Sequence, residues 1–368
     1  MSINNIPTTM RALVLPEPGK FEIQDAPVPS PKDNEVLCKI RAVAICGSDP
    51  EIIRGGLAGI WPPTYPFTPG HEWAGEVVAV GKGVVGLKPG DRVAGQAHCG
   101  CGKCRNCLEG RYNICENYGN PETGHSHYGF ITPGAYAQYA TYNQKSVNKL
   151  PDSMSYLEGS LIDTAGVALH GLMLIGVTPG GTVAVIGPGP IGLLTMRLAR
   201  SLGAATIIAV GRRSRLEVAQ RFADAVVDFE KEEPVQAVRA ITNGVGVDEC
   251  AECSGAAGTF RQAVEMVRKG GRVTLLGVPP ASLLEPIPFK HIVHDEIMVI
   301  GSRANPNVSD KLIQMIAAKQ LRVDDLVTHT FPLEDFAIAL DTFINRRDGA
   351  VKVVVEPNGK EESKKRFD

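Results

Sequence analysis

Two patterns of hydrophobic and polar positions divide the chain. Up to about residue 150, short β-branched stretches such as residues 77–80 and 91–94 are separated by turn sequences such as residues 88–90, which indicates a β-rich domain with many loops. From residue 166 to residue 302, short apolar runs alternate with helical segments. This alternation is typical of a parallel sheet with helices packed on it.

Six apolar runs in the second region have the length of strands and predict a doubly wound α/β sheet of parallel strands: residues 183–186, 207–210, 225–228, 247–252, 272–276 and 297–301. A helix is expected at residues 308–318, and a last strand at 351–355 would return to the first domain. The predicted boundaries are 1–164 for the β-rich domain, 165–303 for the helix-covered sheet, and 304–368 for the returning segment and the C-terminal tail.

Composition narrows the range of functions. The 368 residues carry a net charge of -2, and basic residues are dispersed except in a short tail at 359–368, so a nucleic-acid surface is not expected. The first residues lack the pattern of a signal peptide, and no apolar run approaches the length of a membrane span. The nine cysteines, several of them at metal-binding spacing, fit a reducing compartment, and a cytoplasmic location is expected.

Four cysteines form a compact C-x2-C-x2-C-x7-C run at Cys101, Cys104, Cys107 and Cys115. This tight spacing does not readily satisfy disulfide geometry, and the last gap is longer than in a ferredoxin cluster motif. A structural zinc with four thiolate ligands is therefore predicted, in a lobe at about residues 98–116. A second, dispersed set, Cys46 with His71 and Glu72, leaves a coordination position for substrate and predicts a catalytic metal site.

A glycine-rich turn follows the first predicted strand of the sheet. Its residues Gly187-Pro188-Gly189-Pro190-Ile191-Gly192 match G-x-G-x-x-G and open an amphipathic helix. Glycines permit a tight turn and a close approach of a pyrophosphate, and the helix N-terminus supplies amide donors. In this strand-to-helix context the motif predicts dinucleotide binding rather than a chance turn.

The end of the second strand bears on which dinucleotide is bound. NAD-binding folds place an acid there to hold the ribose 2′-hydroxyl, whereas this chain has Gly211-Arg212-Arg213. Two arginines can pair with a 2′-phosphate, so we expect NADP to be preferred, with NAD usable as well. The alternative is that the arginines only begin a solvated helix.

These features occur together in a known family. The chain resembles the zinc-dependent medium-chain alcohol and polyol dehydrogenase superfamily. The resemblance is carried by Gly70-His71-Glu72 followed by Gly75, Gly81 and Val84, together with the upstream Cys46-Gly47-Ser48-Asp49. The cysteine lobe and the nucleotide fold then follow in the family's order. The resemblance covers nearly the whole chain and implies a GroES-like catalytic domain and a Rossmann domain. It also implies homodimers or homotetramers, and hydride transfer between a nicotinamide cofactor and a secondary alcohol, polyol or sugar hydroxyl.

The resemblance also implies the ligands of the catalytic zinc. They are Cys46, His71 and Asp163, with Glu72 as a further ligand or close neighbour. With aspartate at the third ligand position, the chain resembles the bacterial NADP-dependent secondary-alcohol dehydrogenases. With the cysteine lobe, this gives two zinc ions per chain.

Further residues receive roles from their place in the motifs. Ser48 would accept the alcohol proton, and Asp49 would orient the zinc-binding imidazole, although Ser or Asp in a turn ordinarily serves as a cap. Besides the glycine turn and the Gly211 to Arg213 stretch, the resemblance implies cofactor contacts at Ser254, Val278, Ser302 and Lys352.

Two departures from the family pattern bear on the substrate. Pro50-Glu51 stands where many members have the outer histidine of a proton relay, and Glu51 resembles the acid that lies near the sugar in the glucose dehydrogenases of the superfamily. Ala97 occupies a position where primary-alcohol enzymes often carry a bulky aromatic residue, and a small residue widens the pocket. Both features favour a hydroxylated or secondary alcohol over ethanol.

Two other functions compete with this interpretation. A zinc-free quinone or enone reductase of the same superfamily would lack the metal ligands, so the intact ligand set argues against it. A non-enzymatic binding protein recruited from an oxidoreductase would bind cofactor without oxidising alcohols, and the relay serine argues against that function.

Overall fold

The computed structural model describes residues 6–359, so the predicted basic tail lies, apart from Gly359, outside the described residues. The backbone divides into two compact units, one formed by Met1–Asp163 with Ser309–Asp368 and the other by Thr164–Val308. The second unit is therefore an insertion into the sequence of the first. Within residues 6–359, no helix is long and apolar enough to cross a membrane.

The strands, in chain order, are β1 (Thr9–Val14), β2 (Glu22–Pro27), β3 (Glu35–Ala44), β4 (Glu72–Val80), β5 (Arg92–Gly95), β6 (His98–Cys99), β7 (Ser126–His127), β8 (Tyr139–Asn143), β9 (Val147–Lys149), β10 (Thr182–Ile186), β11 (Thr206–Gly211), β12 (Ala225–Asp228), β13 (Val247–Glu252), β14 (Val267–Leu275), β15 (Met298–Gly301), β16 (Val327–Pro332) and β17 (Lys352–Glu356). The α-helices are α1 (Asp49–Arg54), α2 (Arg105–Leu108), α3 (Tyr156–Ser160), α4 (Ile162–Ile175), α5 (Pro190–Ser201), α6 (Arg213–Ala219), α7 (Pro234–Ile241), α8 (Thr259–Met266), α9 (Phe289–His294), α10 (Ser309–Ala317) and α11 (Phe336–Asn345).

A mainly antiparallel sheet forms the first unit. In its described part the strand order is β16-β17-β3-β4-β5-β9, with β8 paired to β3. Apolar residues of β3 and β4 fill the core, in which the buried Trp73 stacks on Tyr142 with ring centroids 4.1 Å apart. Strand β17 pairs antiparallel with β3 through Val354 and Ala44, so a strand that follows the inserted unit in sequence joins the sheet beside the strand that leads to Cys46.

The second unit, all of whose residues are described, contains a parallel sheet of six strands in the order β12-β11-β10-β13-β14-β15. This confirms the predicted Rossmann sheet. The predicted strands agree closely with the observed ones except at β14, which begins at Val267 rather than at residue 272. Its first residues include Arg268, Lys269 and two glycines, so they carry no apolar signal.

The strand order reverses between β10 and β13, which are hydrogen-bonded neighbours although β11 and β12 separate them in sequence. In open α/β sheets a crevice forms at such a point, outside the carboxyl ends of the strands, and ligands bind there. The glycine turn follows β10. The fold therefore puts this turn at the edge where a dinucleotide is expected.

Candidate functional site

Strand pairing brings the dispersed metal ligands together. Strands β3 and β4 run antiparallel with Ala44 opposite Glu72, so the residues just after β3 and just before β4 emerge at the same end of the sheet. Cys46 and His71 occupy these positions. One ligand atom each from Cys46, His71 and Glu72 lies within 4.8 Å of the other two.

A glycine holds the turn that carries His71. Gly70 has a φ of 98°, in the left-handed region that favours glycine. A Cβ atom at this position would lie 2.8 Å from the ring of Tyr136 and 3.0 Å from its backbone nitrogen. Backbone geometry and close packing thus require the glycine before His71, whose buried imidazole interacts with Cys46.

Asp49 organises the backbone of the site from the first turn of α1. Its fully buried carboxylate accepts hydrogen bonds at Oδ2 from the amide of Cys46 and from the hydroxyl of Tyr136, both at 2.8 Å. Its other oxygen, Oδ1, lies 3.8 Å from Nδ1 of His71, and neither of these two atoms has a hydrogen-bond partner among the described residues. The predicted orienting carboxylate therefore faces the imidazole.

The electrostatics of this cluster suit a bound cation. Burial lowers the pKa of His71, but the charge of Cys46, a hydrogen bond to it and the charges of Asp49 and Glu72 outweigh burial and raise that pKa to about 10. Burial also raises the pKa of Asp49. A half-buried thiol beside a buried imidazole and a buried carboxylate has the donor chemistry of a zinc site, so these residues fit the metal that the motif implies.

Glu72 has a second buried partner. Nζ of Lys352, at the start of β17, contacts Oε2 of Glu72 and donates to the carbonyl of Ile45 at 3.1 Å. Both side chains are 2% exposed. Lys352, predicted as a cofactor contact, is thus placed in the first unit against a candidate zinc ligand.

The remaining predicted residues of this region lie at different distances from the cluster. Asp163, in the first turn of α4, is not among the groups within 4.8 Å of one another, and its Oδ1 accepts the amide of Ala97 at 3.2 Å. The hydroxyl of Ser48 is buried without a hydrogen-bond partner. Glu51 lies on the exposed side of α1, where it pairs with Arg54.

A row of imidazole and aromatic rings in contact begins at His71. Phe130 lies 4.6 Å from the His71 ring and 3.9 Å from the His127 ring, which in turn stacks on His98 at 4.0 Å. The hydroxyl of Tyr118 is 2.5 Å from Nδ1 of His127. This arrangement could not be predicted from the sequence, because His98 and His127 are far apart in the chain and come together only through the pairing of β6 with β7.

The cysteine lobe has the geometry of a closed metal site. The sulfur atoms of Cys101, Cys104, Cys107 and Cys115 all lie within 4.8 Å of one another. The Cys101–Cys107 and Cys104–Cys115 sulfur pairs are 3.9 Å apart, far longer than a disulfide bond of about 2.05 Å. A tetrahedron with Zn–S distances of about 2.3 Å has edges of about 3.8 Å, so the four thiols fit zinc.

The lobe's thiols differ in acidity. Burial raises the pKa of Cys101, but hydrogen bonds, first from the amide of Lys103 and from Asn117, outweigh it and lower that pKa to about 6. Burial raises the pKa of Cys107 to about 12. Four thiolates this close repel one another, and a bound dication removes that repulsion.

The glycine turn of the second unit is shaped for a phosphate. Gly187 has a φ of 89°, and Gly189 is the N-cap of α5, with Pro190 at the first helical position. A Cβ at Gly192 would lie 2.2 Å from the carbonyl oxygen of Gly187, which explains why helix and strand pack so closely here. Ile191 continues the helix, whose free amides and positive dipole end favour an anion.

The arginines after β11 are held by one carboxylate. Glu230 accepts Arg212 at 3.0 Å and Arg213 at 2.9 Å. A third arginine, Arg215, was not singled out from the sequence, yet its guanidinium would lie 3.5 Å from a Cβ at Gly189. The guanidinium of Arg215 therefore lies next to the glycine turn at Gly189.

Gly211 has a structural reason to lack a side chain. A Cβ there would lie 2.5 Å from Cγ of Pro188. The proline of the glycine turn thus occupies the space that a carboxylate-bearing residue would need.

The other predicted cofactor residues of this unit follow the remaining strands. Ser254 and Val278 lie after β13 and β14, and Ser302 follows β15. Ser254 contacts the glycine turn, since a Cβ at Gly187 would lie 2.7 Å from its Cβ. Glu252 was not predicted as a site residue, although a charged residue that ends an apolar strand is a visible signal. Its carboxylate accepts the amide of Ser254 at 2.7 Å.

Comparisons with known proteins agree with this geometry. The model of the alcohol dehydrogenase GroES-like domain matches residues 32–152, and that of the zinc-binding dehydrogenase domain matches residues 190–318. A sorbitol dehydrogenase of Bacillus subtilis (strain 168) is 34% identical over 360 residues, covering 96% of this chain and 99% of its own. An L-threonine 3-dehydrogenase of Bacillus licheniformis is 33% identical over 357 residues, covering 95% and 99%.

A solved structure shares the whole architecture. The crystal structure of a putative zinc-binding dehydrogenase from Sinorhizobium meliloti 1021 bound to NADP has a TM-score of 0.86 and 32% sequence identity, and the match covers 95% of this chain and 100% of that one. Its fold and its nucleotide agree with the two units and the glycine turn described above.

Proposed function

Because the chain belongs to the zinc-dependent medium-chain alcohol and polyol dehydrogenase superfamily, we propose that it transfers a hydride between a secondary alcohol, polyol or sugar hydroxyl and NADP. It is a zinc-dependent oxidoreductase acting on CH–OH donors and using a nicotinamide cofactor. The observation that supports the proposal most is the cluster of Cys46, His71 and Glu72 ligand atoms within 4.8 Å of one another. A zinc-free reductase and a recruited binding protein are not favoured.

Two zinc ions per chain are part of the proposal. Cys46 and His71 would hold the catalytic ion with Asp163 as the third ligand and Glu72 close by, and the lobe would hold the structural ion. The catalytic ion supplies Lewis acidity, which lowers the pKa of the substrate hydroxyl. The Lys352 contact with Glu72 neutralises one carboxylate of this site, so the ligand set carries less negative charge than its sequence suggests.

Side chains of the protein itself would transfer the substrate proton and orient the metal ligands. The buried hydroxyl of Ser48, which has no hydrogen-bond partner among the described residues, would accept the substrate proton as it passes its own proton on. Asp49 accepts the amide of Cys46 and faces the His71 ring, whose direction it would fix. Glu51 lies on the exposed side of α1, where it would receive a proton at the solvent side. A nicotinamide cofactor, when bound, would supply the acceptor for the hydride.

A substrate panel with metal removal tests the function. We expect oxidation of polyols, aldoses or secondary alcohols, with ethanol the poorer substrate, and loss of activity after chelation that zinc restores. The measurement is the initial rate with each alcohol and both cofactors. Full activity in protein that holds zinc only in the lobe would contradict the proposal.

Cofactor choice gives a sharper prediction. We expect wild-type enzyme to show a higher kcat/KM with NADP than with NAD, and Arg213→Ala or Arg215→Ala to lower the NADP-to-NAD ratio by about 10- to 100-fold, because a charge-assisted hydrogen bond contributes about 1.5–3 kcal/mol. Arg212→Ala should act in the same direction. Steady-state kinetics with both cofactors measures the ratio.

A matched arginine controls for general charge effects. Arg261 is exposed in the same unit and pairs with Glu265 at 3.0 Å, so Arg261→Ala should leave the ratio unchanged. A wild-type preference for NAD would mean that the arginines after β11 are only solvent-exposed charges at the start of a helix. Gly211→Asp is not a suitable test, because Pro188 leaves no room for its side chain.

Assembly and location complete the proposal. β15 is an edge strand, and exposed apolar side chains gather near it, including Phe289 at 72%, Val293 at 58% and Met298 at 50% exposure. An exposed apolar edge of this kind favours pairing with another copy, which supports a homodimer or homotetramer; a monomeric mass by light scattering would contradict it. We propose a cytoplasmic location, since the free cysteines of the metal sites suit a reducing compartment.

A further inference from the structure

Glu252 is a buried acid at the point where the strand order of the second unit reverses. It is the last residue of β13, the strand next to β10, and is 3% exposed. A buried carboxylate is costly unless hydrogen bonds compensate it. Its surroundings therefore show what it stabilises.

The carboxylate gathers donors from the loop that follows β13. Oε1 accepts the amides of Ser254 at 2.7 Å and Gly255 at 3.0 Å, and the hydroxyl of Thr259 at 3.1 Å. The hydroxyl of Ser254 also donates to it. Because these donors span residues 254–259, they reach one oxygen together only in one conformation of this loop.

The backbone of Glu252 forms hydrogen bonds with a second segment. Its carbonyl oxygen accepts the amides of Leu276 at 2.7 Å and Gly277 at 3.0 Å, the residues that follow β14. One residue thus ties the loop after β13 to the segment after β14, at the carboxyl edge of the sheet.

Both segments are packed without spare room. A Cβ at Gly255 would lie 2.8 Å from the backbone of Val278, and a Cβ at Gly187 would lie 2.7 Å from Cβ of Ser254. The loop fastened by Glu252 therefore touches the glycine turn on one side and Val278 on the other. A movement of this loop changes the shape of the crevice.

A doubly wound sheet binds one mononucleotide half of its cofactor with each set of strands. The glycine turn and β10 to β12 form the first half, and the loops after β13 and β14 belong to the second. We propose that Glu252 is a positioning residue for the nicotinamide half of the cofactor, acting by holding the loops that carry Ser254 and Val278. This inference rests on the cofactor site of the proposed function.

The test is a comparison of nucleotide affinities. Glu252→Ala removes the acceptor, and Glu252→Gln keeps one acceptor oxygen without the charge. We expect the Kd of NADPH, followed by its fluorescence, to rise at least about tenfold for Glu252→Ala and by less for Glu252→Gln, because a loop that is no longer held must be ordered when the cofactor binds. The Ki of ADP, which reaches only the first half, should change less than about twofold.

Glu249 provides a matched control on the same strand. It is fully buried three residues earlier, and it accepts Thr178 Oγ1 at 2.6 Å and contacts Arg272. Glu249→Gln should lower the melting temperature without changing the Kd of NADPH.

Three results would overturn the inference: an unchanged NADPH Kd in both Glu252 variants, equal losses for NADPH and ADP, or an equal NADPH loss in Glu249→Gln. Wild-type protein that binds neither NADPH nor NADH would instead overturn the proposed function itself.

Discussion

Replacing Cys46 by serine is expected to reduce turnover by at least about 10³-fold while the protein stays folded. Cys46 follows β3 and contributes one of the clustered ligand atoms. Its loss removes the Lewis acid on which the chemistry depends, an effect of several kcal/mol at about 1.4 kcal/mol per tenfold in rate. Zinc content should fall from about two ions per chain to about one, as metal analysis of the purified protein can measure.

Cys104→Ser supplies the contrast. Cys104 caps α2 by accepting the amide of Cys107, and structural zinc sites contribute directly to folding. This variant should also lose one zinc, but its main effect should be a melting temperature lower by at least about 5 °C or a change in assembly. Equal losses of stability in the two variants would contradict the division into a catalytic and a structural ion.

The second large effect is expected for Ser48→Ala. Its turnover should fall by about 10²–10⁴-fold, the usual range for loss of general acid–base assistance, while the Kd of the cofactor stays the same. Stability should change little, because Ser48 is the N-cap of α1 without a side-chain capping bond. The measurements are kcat across pH, cofactor affinity and thermal melting.

Ser155 is the matched control for this change. Its hydroxyl accepts the amide of Glu158 at 3.1 Å in a complete capping box, so Ser155→Ala should cost about 1 kcal/mol of stability and leave kcat unchanged. Near-normal turnover in Ser48→Ala at every pH would show that another group, such as Glu51 or water, takes the proton.

Several features were predictable because local sequence determines them. The strands of the second unit are short and apolar, so their positions followed from hydrophobicity, and the family and fold are confirmed. The beginning of β14 was missed because Arg268 and Lys269 precede a pair of glycines, and only pairing with β13 makes them part of a strand. Motif order likewise indicated that Cys46 and His71 would meet.

Other features depend on contacts that no local pattern encodes. Lys352 lies about 280 residues after Glu72 in the chain, and their contact arises from the pairing of β17 with β3. Glu230 holds Arg212 and Arg213 because β12 runs next to β11. Asp163 is placed on the amide of Ala97, and its role as a zinc ligand stays a prediction.

The discontinuous first unit has a consequence for synthesis on the ribosome. The inserted unit, Thr164–Val308, is contiguous and has all its strands as soon as it emerges. The sheet that carries Cys46 and His71 still lacks β17 at that moment, and with it the lysine that contacts Glu72. We expect the nascent chain to acquire its nucleotide fold first and to finish its metal pocket only once β17 has emerged, so that a premature stop before β17 yields a protein with the former and without the latter.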